Sequence, residues 1–185
     1  MKKMRRATKL NSRPITVLLD KGVVRRVYEN RARLAEGATP TFLQTEAANA
    51  YARLRALQHQ LYLTQETANV LRLRPPLYAA RLLAQTQALR KGRYLRRWAR
   101  RLRDYVFTRE DAIILAYASF GVDLAAQRLG VDAIVTGDLR MVTNFNTRYA
   151  EIKERFDRLT VSLPEPYHSL ALPEIATPAI VLSEW

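Results

Sequence analysis

Three short apolar runs constrain this chain most: ITVLL at 15–19, HQLYLT at 59–64 and VDAIVT at 131–136. Each is too short for a helix, carries β-branched or aromatic residues and is bounded by turn or helix-start residues, which is the pattern of a buried strand. Longer segments lie between and after them. Helices are expected over 23–35, closing at Gly37, then from Thr39-Pro40-Thr41-Phe42, and from Thr64 to the break at Arg74-Pro75-Pro76. Further helices are expected over 77–91 and 93–105, hinged near Gly92, and over 111–120, 124–129 and 147–158. Strands that alternate with helices pair in parallel through crossovers. The expected fold is therefore α/β, a three-layer α/β/α sandwich around a mostly parallel sheet of four to five strands. A chain of 185 residues suits one domain, here 14–163, preceded by a basic arm at 1–13. A proline-punctuated tail at 164–185, with a final strand at 179–182, follows it.

Charge supplies the next constraint. Lys and Arg number 31 against 17 Asp and Glu, a net +14. Residues 1–13 hold +6 and residues 72–103 hold +11, both without an acid, so the rest of the chain carries −3. In the second block Leu95, Trp98, Leu102, Tyr105 and Val106 recur at helical spacing. That places Arg93, Arg96, Arg97, Arg100, Arg101 and Arg103 around the other side, with Trp98 as the anchor in the core. Like charges on neighbouring turns cost stability unless an anion neutralises them, and guanidinium groups suit phosphate. The face is thus expected to bind nucleic acid. A solvated helix, or one docked on an acidic partner subunit, is the plainer alternative.

Cysteine is absent, which excludes disulfides, thiolate nucleophiles and sulfur-ligated metals and leaves carboxylates and two histidines as ligands. His59 and His168 do not form a ligand pair. An oxygen donor set suits Mg or Mn. No run approaches the roughly 20 apolar residues of a membrane span, and the apolar run behind the basic start is too short for a signal segment. A soluble, cytoplasmic protein is expected.

The acids in the −3 body are placed suggestively. Asp20 and Asp138 each follow a strand, Asp111 lies in the first turn of the alanine-rich helix, and Glu66 opens the helix after the second strand. Parallel sheets bind ligands beyond the carboxyl ends of their strands. Taken singly, these acids read as turn, cap and capping-box residues. Taken together, carboxylates at one edge repel unless a cation neutralises them.

Leu18-Leu19-Asp20-Lys21-Gly22, Thr108-Arg109-Glu110-Asp111-Ala112 and Ile134-Val135-Thr136-Gly137-Asp138 together resemble the motifs of PIN-domain proteins, the superfamily of PIN-type ribonucleases and toxins. The resemblance spans most of 15–145. It implies an Mg- or Mn-dependent nuclease acting on RNA, with metal held by Asp20, Asp111, Asp138 and Glu66 and with Thr136 orienting a carboxylate or the attacking water. Asn69 and Glu46 are the other candidates for the Glu66 role. The resemblance also implies a small antitoxin-like protein as partner and a homodimer as assembly. Lys21 and Asn69 depart from the family pattern. The alternative they suggest is a PIN scaffold that binds nucleic acid or a protein without cutting.

Overall fold

The computed structural model describes residues 13–123 and 130–185. Most of the basic arm and the helix expected at 124–129 lie outside these residues. Five parallel strands form one sheet: β1 (Thr16–Leu19), β2 (Gln60–Thr64), β3 (Gln87–Leu89), β4 (Ala133–Val135) and β5 (Glu174–Ala176). Their order is β3-β2-β1-β4-β5, with Leu18 beside both Tyr62 and Ile134. The α/β expectation holds, and the sheet is wholly parallel.

The chain adds β2 and β3 on one side of β1, then returns to add β4 and β5 on the other. Right-handed crossovers must therefore change face at that return. The helices follow this rule. On one face lie α1 (Lys21–Ala35), α2 (Phe42–Ala56), α3 (Gln65–Arg72) and α4 (Pro76–Ala84). On the other lie α5 (Leu95–Leu102), α6 (Arg109–Phe120), α7 (Leu139–Thr147) and α8 (Tyr149–Val161). The period-2 alternation of the strands divides the core accordingly. Val17, Leu19, Leu61, Leu63, Ala133 and Val135 join the core under α1 to α4. Leu18, Tyr62 and Ile134 join the core under α5 to α8, where Trp98, Phe120 and Phe156 are fully buried.

Three expectations on local structure change. The segment expected as helix over 77–91 ends at Ala84, where the Thr86 hydroxyl donates to the Leu82 carbonyl at 2.8 Å. Gln87–Leu89 then pairs with the free edge of β2, so tertiary pairing overrides a helical composition. The strand expected at 179–182 is instead α9 (Pro178–Glu184), started by the Thr177 cap on Ile180 N–H and by proline at the first position. The last strand is β5, a few residues earlier. The helix expected at 147–158 is α8, and α7 is an additional helix before it, capped by Asp138. No helix among the described residues is long and apolar enough to cross a membrane.

Candidate functional site

The strand order reverses between β1 and β4, and the carboxyl ends of the strands at such a reversal are the position at which open parallel sheets take ligands. Leu19 pairs with Val135, and Asp20 N–H donates to the Val135 carbonyl at 3.0 Å. The residues that follow the two strands are thereby neighbours. The Thr136 hydroxyl donates to Asp20 Oδ2 at 3.1 Å and accepts from Asp138 N–H at 3.1 Å. One buried threonine thus ties the ends of the two strands together.

Asp20 occupies the cap position of α1, yet its side chain makes no capping hydrogen bond and is spent on Thr136 instead. Burial raises its pKa above the ordinary carboxylate value. The Thr136 hydroxyl, the nearby N–H groups of Lys21 and Gly22 and the Lys21 charge offset this only in part. Its ionised form is accordingly short of compensation.

Asp138 and Asp111 have structural work as well. Asp138 Oδ1 accepts Met141 N–H at 3.0 Å, capping α7. Asp111 Oδ2 accepts Thr108 N–H at 3.1 Å while the Thr108 hydroxyl accepts Asp111 N–H, a complete capping box on α6. The neighbouring Glu110 reaches Lys21 Nζ at 2.6 Å in an exposed ion pair, which shows that the start of α6 lies near the end of β1.

Glu66 is held differently. Lys91 Nζ lies 2.6 Å from its Oε1, and the Tyr117 hydroxyl donates to its Oε2 at 2.6 Å. Burial alone would raise the Glu66 carboxyl, but Lys91 and Tyr117 outweigh it and hold the pKa low; burial and Glu66 in turn push Tyr117 up. Asn69 Oδ1 accepts from Gln65 and Arg72 on the exposed side of α3, so its side chain is committed there. Glu46 is half-buried on α2. Of these three, Glu66 is the one linked to α6.

Among the described residues, no group of three His, Cys, Asp or Glu side chains is gathered closely enough to form a complete metal cage. Mg, however, is commonly held by one or two carboxylates with several waters and a substrate phosphate. Asp20 is a carboxylate of that kind at the end of β1; Thr136 links it to the backbone N–H of Asp138, whose own carboxylate caps α7, while Asp111 caps α6. His59 is buried at the opposite edge, where its Nδ1 accepts Ile15 N–H at 3.3 Å, and burial lowers its pKa.

The arginine face forms as expected. Leu95, Trp98, Ala99 and Leu102 are buried, Arg93, Arg96, Arg97, Arg100 and Arg103 are exposed, and Arg101 is half-buried. Asp104, the nearest acid in sequence, is taken by Arg155 of α8 at 2.7 Å. Trp98 and Phe156 pack edge to face at 5.1 Å between the two helices. Burial and the like charges of Arg97, Arg155 and Arg158 lower the Arg101 pKa.

Sequence reasoning missed several of these residues. Arg155 and Arg158 sit in a helix that also contains acids, so no acid-free block marks them. Arg26 reaches from α1 to Gly137, where an added Cβ would stand 2.4 Å from its Nη1. Tyr117 and Lys91 became partners of Glu66 only through the packing of α6 and β3. No protein family, curated protein or solved structure matches the chain.

Proposed function

We propose that this chain is a metal-dependent nuclease that hydrolyses phosphodiester bonds, with RNA as substrate and Mg or Mn as cofactor, in keeping with its resemblance to PIN-domain proteins. The observation that carries the reading is Asp20. It is a partly buried carboxylate with a raised pKa, uncommitted to helix capping, hydrogen-bonded to Thr136 where the strand order reverses between β1 and β4. Asp20 and Asp138 would hold the metal, directly or through water, with waters and the substrate phosphate completing the shell. A metal there lowers the pKa of a bound water and stabilises charge on phosphate oxygens. Thr136 fixes the Asp20 carboxylate by donating to Oδ2. Arg26, lying against Gly137, and the arginines of α5 hold the phosphate backbone.

A second reading has its own support. Glu66 is neutralised by Lys91 and hydrogen-bonded by Tyr117, and Glu110 is neutralised by Lys21. An edge whose acids are so occupied suits a nucleic-acid-binding protein that does not cut. The two readings separate in one assay: labelled single-stranded RNA incubated with Mn or with chelator, comparing wild type with Asp20→Asn and Asp138→Asn. The nuclease reading expects Mn-dependent cleavage that both substitutions remove. Equal cleavage by all three proteins would sink it, and binding without cleavage would favour the second reading.

A further inference from the structure

A cleft of about 530 Å³ opens beside the acidic strand ends, between α7 and the connector that follows α5. It is a shallow depression open to solvent, not an enclosed cavity. Two apolar side chains line it, and both are exposed against expectation. Val106 is 61% exposed and has φ 65°, a left-handed conformation that a β-branched residue adopts only under strain. Burial does not compensate that strain. Backbone strain of this kind gathers at functional sites. Leu139 is 70% exposed and directly follows Asp138 as the first residue of α7. The Asn144 amide donates to the Tyr105 carbonyl at 2.8 Å, pinning the connector to α7 and so fixing Val106 relative to Leu139.

The charged part of the lining is basic. Arg140 and Arg148 line the cleft beside Thr143, Asn144 and Thr147, and no acid is among the lining residues. Arg148 makes only a loose exposed contact with Glu151, at 3.8 Å. At the connector end, Arg103 continues into the acid-free face of α5. At the α7 end lies Asp138. The cleft therefore joins the arginine face to the acidic strand ends.

We infer that this cleft seats one unpaired nucleotide of a single-stranded nucleic acid, with its base against Val106 and Leu139 and its phosphates toward Arg140 and Arg148. The inference rests on the nucleic-acid reading given above and deepens it by naming the surface outside the acidic residues that would seat the strand. A base in a duplex has both faces stacked on its neighbours and cannot offer one to aliphatic side chains, whereas an unpaired base can. Arg140, and Arg148 whose contact with Glu151 is exposed and long, supply the phosphate contacts. Asn144 retains a carbonyl oxygen for a base edge.

The test is fluorescence anisotropy in chelator, with a short labelled single strand and with the same strand annealed into a duplex. The variants are Val106→Gly and the double variant Val106→Gly/Leu139→Ser. Glycine accepts the left-handed backbone without strain, so the fold should be retained or strengthened, as a thermal melt will show. The expected result is a loss of about five- to tenfold in single-strand affinity, with duplex affinity and salt dependence as in wild type. Wild-type single-strand affinity in the double variant overturns the inference. So does an equal loss on duplex, or a wild-type protein that binds no single strand. Because no metal is present, the result is independent of cleavage: loss in this assay combined with full cleavage by Asp20→Asn and Asp138→Asn would end the nuclease reading alone.

Discussion

Two charged regions of this molecule are built in opposite ways. At the carboxyl ends of β1 and β4 there are few charges, and each is fixed. Asp20 is held by Thr136, Asp138 and Asp111 are held by the backbone of the helices they cap, and Glu110 is held by Lys21. On the outer side of α5 there are many charges and little holds them. The buried Leu95, Trp98 and Leu102 fix the helix, while none of its exposed arginines makes an ion pair among the described residues. Placement is what bond-breaking needs, because donors and charges act only where the reacting atoms will be. Density is what a backbone grip needs, because counterion release counts charges and tolerates variation in their position.

The largest effect should follow from disturbing placement. Asp20→Asn or Asp138→Asn is expected to lower Mn-dependent cleavage by about a thousandfold or more while leaving binding to RNA in chelator nearly unchanged. If RNA binding fell in step with cleavage, the two regions would not be separate. Reversing density should do the converse. Arg97→Glu/Arg100→Glu/Arg158→Glu is expected to weaken binding by about a hundredfold, and to reduce the salt slope by about one for each phosphate no longer neutralised. A variant that binds with the wild-type slope would show that the face is only solvated.

How far the sequence exposed these regions depends on whether a signal was local. Asp20, Thr136 and Asp138 were legible because strand end and acid adjoin in sequence, and the capping box at Thr108 and Asp111 is a four-residue pattern. The arginine face was legible from helical spacing within 93–105. Arg26, Tyr117 and Lys91 were not, because each meets its partner across elements: α1 on the β4 loop, α6 on α3, and the end of β3 on α3. Strand β3 was illegible for a related reason. Gln87-Ala88-Leu89 has no β-branched residue and becomes a strand only by pairing with β2. In α9, Pro178 opens a helix at the point where a strand was expected to begin.

A smaller effect concerns stability and pH. Burial gives Asp20 a raised folded pKa, so its ionisation opposes folding. That cost is absent below the ordinary carboxylate pKa and appears as pH rises through the folded value. Asp20→Asn is therefore expected to raise the melting temperature at neutral pH. The gain should fade on acidification. A melting temperature below wild type at neutral pH would mean that Asp20 is placed for stability and not for function. The smallest effect belongs to the lysines. Lys91–Glu66 and Lys21–Glu110 are exposed ion pairs, so Lys91→Ala or Lys21→Ala should change stability by less than about 1 kcal/mol. A larger loss in urea unfolding would identify those pairs as structural clamps.

The central claim is that the Asp20–Thr136–Asp138 arrangement takes a divalent cation. Calorimetric titration of the full chain with Mn, in wild type and in Asp20→Asn, tests it most directly. The account predicts saturable binding by wild type and its loss in the variant, although the variant is folded and no less stable. No heat of binding in wild type, or the same affinity in both proteins, would contradict it.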